Sequence, residues 1–294
     1  MRILSRLLNN CRKPDRQIGM ELGISGGAVG SRISKMEKLG IIEKFCLKVE
    51  PPLLGLNMFY IVVNSQNQKE IIKNVKLAGM PFTIVPCVGG NTVIGVIVKE
   101  DMEQKIELLQ KLMQDVRVMS VFEADNTKIT HNLTRTDLEI LKQLIENPRK
   151  RIEQLSKETE LSTKTINRGL EKLENNESIQ FTLVFDPSKI EGFLCYAVVA
   201  VTQEDISKML KRFEDEFSED YLMIPFLAKN QIVLFLYSDS IFKMDEMTEK
   251  IAKVEGTITT ELFIPKKIDM PEKWLEKRLE TLTKSQTLHI SQVN

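Results

Sequence analysis

The chain repeats itself at a fixed offset. Ile3-Leu4…Leu7…Asn10…Arg12-Lys13…Gln17…Glu21…Ser25…Lys35…Glu37…Ile42 returns as Ile140-Leu141…Leu144…Asn147…Arg149-Lys150…Gln154…Glu158…Ser162…Lys172…Glu174…Ile179. Every pair is 137 residues apart, giving 12 identities in 40 positions without a gap. Apolar partners exchange as well: Val29 with Ile166, Ile33 with Leu170, Met36 with Leu173. Such self-similarity predicts two copies of one supersecondary unit.

The second copy defines the unit. Thr136 and Glu139 are spaced as a capping box, and Leu138, Leu141, Leu144 and Ile145 form a helical stripe. Asn147-Pro148 predicts the end of that helix, and a second helix follows from about Arg151 to Glu158. Ser162 stands where an N-cap belongs, with Ile166, Leu170 and Leu173 as the buried face of a third helix. In the first copy Asp15 is expected to cap helix two, Gly23 to end it, and Ser25 to cap helix three. Its first helix is expected to be short, because Met1 falls inside the stretch equivalent to Asp137-Leu138. After helix three, residues 41–49 and 179–185 each read as a β-hairpin wing, closed by Glu50-Pro51 and Asp186-Pro187. This is a winged helix-turn-helix, twice, implying two surfaces able to dock on DNA.

The remainder of each copy reads β-α-β-β-α-β. Expected elements are 58–63, 69–77, 83–88, 92–98, 102–113 and 116–124, then 195–201, 206–217, 221–228, 232–237, 242–254 and 258–264. That order is the split βαβ of a ferredoxin-like sandwich. The fold class is therefore α+β. The expected divisions are winged helix-turn-helix units at 1–50 and 132–187, ferredoxin-like modules at 55–126 and 193–266, and a tail at 267–294. Residues 126–132 form a short polar linker, and Trp274, Leu275, Leu279 and Leu282 predict an amphipathic helix in the tail.

Charge separates the copies although the whole chain is neutral. Residues 1–50 hold ten basic and five acidic groups, whereas 131–187 hold nine and ten. No apolar run is long enough to span a bilayer, so no membrane partner is expected. No signal-peptide core precedes Asn9, which suggests a cytoplasmic protein. Cys11, Cys46, Cys87 and Cys195 lack CxxC spacing, consistent with buried thiols and no metal. The two histidines, His131 and His289, fall in the linker and the tail, and no residues are spaced as a catalytic triad. No cofactor is implied. Met58, Phe59, Tyr60 and Met113 read as core.

At this point the chain resembles the Lrp/AsnC ("feast/famine") transcription regulators. The resemblance rests on Ile3-Leu4…Leu7…Arg12, on Leu22-Gly23-Ile24-Ser25…Val29…Arg32-Ile33…Met36-Glu37…Gly40-Ile41-Ile42…Phe45, and on Pro51…Leu54-Gly55. It covers roughly 1–266, as two tandem copies of a unit that is usually single. It implies a winged helix-turn-helix followed by a ferredoxin-like module that dimerises through its sheet and often senses an amino acid. The loop Gly89-Gly90-Asn91 resembles the family's effector loop, while its counterpart Ala228-Lys229-Asn230 has no glycine. Copy two has Gly169 where copy one has Arg32.

With the apolar stripe inward, Ser162, Thr163, Lys164, Asn167 and Arg168 occupy the outward start of the second copy's third helix. Arginine can pair bidentately with guanine, and asparagine with adenine. The first copy offers Ser25, Gly26, Gly27, Gly30 and Ser31, which suit close approach to a phosphate more than base reading. Arg32, Lys35, Lys44 and Arg12 would add phosphate contacts. The expectation is a division of labour, with copy one gripping the backbone and copy two reading sequence. The expected partners are double-stranded DNA, an amino-acid effector and further copies of the chain, a dimer foremost. Two other readings share the architecture: a sirohaem-decarboxylase-like enzyme and a low-specificity architectural DNA-binding protein.

Overall fold

The computed structural model describes residues 2–65, 67–123 and 133–291, and side chains as far as residue 284. The expected linker, including His131, lies outside the described residues, as does the side chain of His289. Each copy begins with three helices: α1 (Arg2–Asn9), α2 (Asp15–Leu22) and α3 (Gly26–Lys38), then α6 (Arg135–Glu146), α7 (Ile152–Thr159) and α8 (Thr163–Glu174). Ser25 and Ser162 cap α3 and α8, accepting from the Ala28 and Thr165 amides. Gly23 ends α2 at φ +69°, the left-handed conformation that glycine adopts without strain.

Two caps differ from expectation. The capping box of α6 is Thr134 with Asp137, two residues earlier than Thr136 with Glu139. A box needs only residues three apart, and starting the helix earlier lets Asp137 also hold Lys172 of α8. Asp15 is the first residue of α2 and Pro14 its cap; the Asp15 carboxylate instead binds Arg149 of the other copy at 3.0 Å.

The wing also differs. Each expected hairpin is a single unbroken strand: β1 (Ile42–Val49) and β6 (Ile179–Phe185). The two pair with each other, antiparallel, from Ile42 opposite Phe185 to Val49 opposite Ile179. Neither segment carries the Asn-Gly or Gly-rich pair that a two-residue hairpin turn requires. Each strand's edge is therefore satisfied by the other copy.

The ribbon exchanges partners between the halves. Helices α1–α3 pack on Leu183 and Phe185 of β6 and on Phe193, Cys195 and Leu222 of the second module. Helices α6–α8 pack on Leu47 and Val49 of β1 and on Met58 and Tyr60 of the first module. Polar groups follow the same crossing: Thr182 Oγ1 donates to the Leu8 carbonyl at 2.7 Å, and the Cys11 amide to the Phe181 carbonyl at 2.7 Å.

The modules are ferredoxin-like, with boundaries within a few residues of those expected. The first is β2 (Asn57–Asn64), α4 (Gln68–Ala78), β3 (Met80–Pro86), β4 (Asn91–Val98), α5 (Met102–Leu112) and β5 (Arg117–Glu123). The second is β7 (Leu194–Thr202), α9 (Ile206–Phe217), β8 (Tyr221–Ala228), β9 (Gln231–Ser238), α10 (Ile241–Lys253) and β10 (Thr257–Phe263). Sheet orders are β3-β4-β2-β5 and β10-β7-β9-β8, the same order read from opposite edges. Helices cover one face of each sheet. The other faces meet through Val62, Cys87, Ala197, Val233 and Phe263. The modules thus pair inside one chain.

The tail ties the halves together. Beyond β10, Lys266 and Asp269 donate backbone bonds to Pro86 and Ile84 of β3. Helix α11 (Lys273–Ser291) then buries Trp274, Leu275 and Leu279 in the core shared with α6. Each such side chain contributes roughly 1.5–3 kcal/mol by burial. Arg278 donates to the Leu54 carbonyl at 2.6 and 2.8 Å. The expected amphipathic helix is therefore a clamp between the second half and the first.

Candidate nucleic-acid interface

In copy two, the start of α8 is exposed at Ser162, Thr163, Lys164, Asn167 and Arg168. Ile166, Leu170 and Leu173 point inward, as their spacing predicts. Among the described residues Lys164 and Arg168 make no ion pair, whereas Asn167 donates to the Thr163 carbonyl at 2.9 Å. Gly169 is buried: a Cβ there would meet Ile140 Cδ1 at 2.4 Å. The exchange of Arg32 for Gly169 is therefore a packing change that draws α8 onto α6.

In copy one, Ser31, Arg32 and Lys35 are exposed on α3, and among the described residues neither Arg32 nor Lys35 has an ion-pair partner. The glycines divide by role. A Cβ on Gly26 would lie 3.0 Å from Arg16 Cα, and one on Gly30 would lie 3.0 Å from Asp15 Oδ2. Those two let α3 approach α2. Gly27 alone faces open space, leaving its backbone accessible at the start of the helix.

Two expected contacts sit elsewhere. Lys44 is bound to Glu272 at 3.0 Å. Arg12 is internal: its guanidinium meets Glu174 at 3.3 Å, donates to the Pro148 and Lys150 carbonyls, and lies 5.6 Å from the Phe181 ring centroid. Burial lowers its pKa, opposed by the Glu174 charge. Arg149, the repeat partner of Arg12, stacks on Phe45 at 4.8 Å and binds Asp15. The identical arginines thus join the copies. Sequence reasoning could not separate them from surface arginines, because the partners lie more than a hundred residues away.

One exposed cation escaped the sequence reading. Arg16 on α2 is unpaired and stands beside Gly26, at the mouth of α3. Its repeat counterpart is Glu153. Copy one therefore presents Arg16, Arg32 and Lys35, while copy two frames Lys164 and Arg168 with Glu153. Glu21 binds Lys13 and Arg6, and the Lys13 hydrogen bond holds its carboxyl below the usual range.

In the first module, Gly89 and Gly90 have φ of +81° and +88°, as the tight connection between β3 and β4 demands. Asn64 Nδ2 donates to Gly89 O at 3.1 Å and to Asn91 Oδ1 at 2.6 Å, fixing the turn. Among the described residues no His, Cys, Asp or Glu cluster could hold a metal, and no helix is long and apolar enough to cross a membrane.

Fold and interface define a class: two winged helix-turn-helix units and two ferredoxin-like modules, paired within one polypeptide. The winged helix-turn-helix DNA-binding family model matches residues 1–43 and 133–180, one match per copy. The chain is 40% identical over 62 residues to the HTH-type transcriptional regulator Ptr1 of Methanocaldococcus jannaschii. That match covers 21% of this chain and 42% of the relative, so it spans less than half of that protein's length. It is 28% identical over 110 residues to the HTH-type transcriptional regulator LrpA of Pyrococcus horikoshii, covering 36% of this chain and 78% of LrpA. The solved sirohaem decarboxylase NirDL matches end to end, at 99% and 98% coverage, TM-score 0.51 and 14% identity, a likeness of fold. Each copy thus carries one winged helix-turn-helix match, and the curated relatives are HTH-type transcriptional regulators.

Proposed function

We propose that this protein is a DNA-binding transcription regulator whose two reading heads belong to one chain. The observation that carries it is the pair of outward helix starts, α3 and α8, with unpaired Arg32 and Lys35 on one and Lys164 and Arg168 on the other. The β1–β6 ribbon joins their units. Helix α8 enters the major groove and reads bases through Lys164, Asn167 and Arg168, with Thr163 and Ser162 beside it. Helix α3 grips phosphates through Arg32, Lys35 and the Gly27 backbone; Ser25, Gly26 and Ser31 shape its start, and Arg16 adds charge. An amino-acid effector is taken at Gly89-Gly90-Asn91, where Gly89 faces open space. This turn exists in one module only, so the reading gives one effector per chain.

In-vitro selection from random duplex DNA at fixed salt tests it. An asymmetric motif is expected, and Arg168→Ala should erase preference at the bases it contacts. Arg32→Ala should keep the motif and lower the salt slope of binding by about 1. Tight binding without any motif would replace this reading with an architectural role. No binding, together with a changed visible spectrum on titrating sirohaem, would replace it with the enzyme that the NirDL fold suggests.

A further inference from the structure

We propose that the space between the two paired sheets is a binding site for an amphipathic organic cation, an aromatic or branched apolar body carrying one positive charge. The cavity is about 630 Å³, a size that suits a drug-sized molecule. Its walls come from the inward faces of both modules. Tyr60 stacks on Phe122 at 5.3 Å and meets Phe226 of the other module edge-on at 4.9 Å. Phe122, Phe226 and Phe235 face the opposite sheet yet stay half-exposed. Protein interiors are close-packed, so large apolar groups left partly open between two sheets mark room for a guest.

Charge selects the guest. The lining carries Glu50, Glu174, Glu177, Glu214 and Glu261 against a single cation, Lys48, with no arginine or histidine. Lys48 is neutralised by Glu50 at 2.6 Å, and Arg12 pairs with Glu174. Glu177, Glu214 and Glu261 are exposed at the rim and form no ion pair among the described residues. Three uncompensated carboxylates attract cations, and the aromatic faces inside add their own preference for positive charge. The same arrangement repels anions, and polycarboxylates most of all. The inference stands apart from DNA binding, since ligand binding is measured without DNA.

Tetraphenylphosphonium and tetraphenylborate supply the test, being matched in shape and opposite in charge. Calorimetric titration of the full chain should give a phosphonium Kd about tenfold or more below that of the borate. The combined variant Glu177→Gln, Glu214→Gln, Glu261→Gln changes only exposed rim groups. It should weaken the cation about threefold or more while leaving the anion equal or tighter. Val199→Trp, which fills the cavity from β7, should abolish binding of both. No heat from the cation up to about 1 mM, equal or tighter binding of the borate, or intact cation binding in a folded Val199→Trp protein would each overturn the proposal. Should Val199→Trp not fold, unchanged cation affinity in the glutamine variant is sufficient to reject it.

Discussion

Position decides what identical residues do here. Arg12 and Arg32 lie in the same basic segment, yet Arg12 is partly buried between the copies while Arg32 is exposed. Arg12→Ala removes the Glu174 ion pair, the donor to two carbonyls and a cation–π contact, so it should cost about 1–3 kcal/mol. Urea midpoints measure this. Arg168→Ala, on an open helix face, should stay within about 0.5 kcal/mol of the parent. A stability loss confined to Arg168 would reverse the two assignments. The glycines make a second contrast. Gly27→Ala adds a Cβ in open space within a helix and should stabilise the protein by about 0.5–1 kcal/mol. If the Gly27 backbone meets a phosphate, the same change should weaken DNA binding severalfold, a split that a purely structural glycine would not produce.

At the level of elements, the ribbon carries the coupling. Copy one's helices pack on copy two's strand as well as their own, and the converse holds for copy two. Thr182, fully buried on β6, donates to Leu8 of α1. Thr182→Val leaves that carbonyl short of a partner and should cost about 1–2 kcal/mol. Calorimetry should record one transition for the parent and the variant alike, because neither helical unit retains a complete core without the other. Two separated transitions would show that the halves fold independently.

The local elements were legible in the sequence because their causes are local. Serine caps, helical stripes and strand alternation each act within a few residues, so among the described residues the helices and the strands of the two modules lie near expected positions. The wing was not legible in the same way. A run such as Ile42–Val49 announces a strand but not its partner, and an absent turn signal is easily passed over. The identical Arg12 and Arg149 give no hint that they cross between copies, and Lys44 none that Glu272 will claim it. The exposure of Lys164, Asn167 and Arg168 follows directly from the inward stripe of α8. Arg16 was missed because only the close packing of Gly26 on α2 brings it to the start of α3.

The whole molecule is a dimer-like body made from one chain, and this has two measurable consequences. The first concerns its thiols. Cys11, Cys46, Cys87 and Cys195 are all buried, and desolvation raises each from 9.0 to about 12. The unfolded chain loses these protons near pH 9 while the folded chain keeps them. Stability contributed by neutral thiols is complete below pH 9 and should fall as pH rises from about 9 towards about 12. A thiol reagent at pH 8 should modify none of the four in the native protein and all four in denaturant. The second consequence concerns stoichiometry. Module pairing, ribbon pairing and the α11 clamp are all satisfied within the chain. One polypeptide therefore presents both α3 and α8, so a short duplex bearing the selected motif should bind a single chain. Native mass spectrometry of that complex reads the ratio directly. Because α3 and α8 differ, an intact chain should favour the site in one orientation, and inverting one half of the motif should weaken binding. Exchanging the outward residues of α8 for those of α3 should remove that polarity while leaving the one-to-one ratio in place. A complex that needs two chains on the minimal site would mean that the heads of one chain do not act together, even though the ribbon joins them.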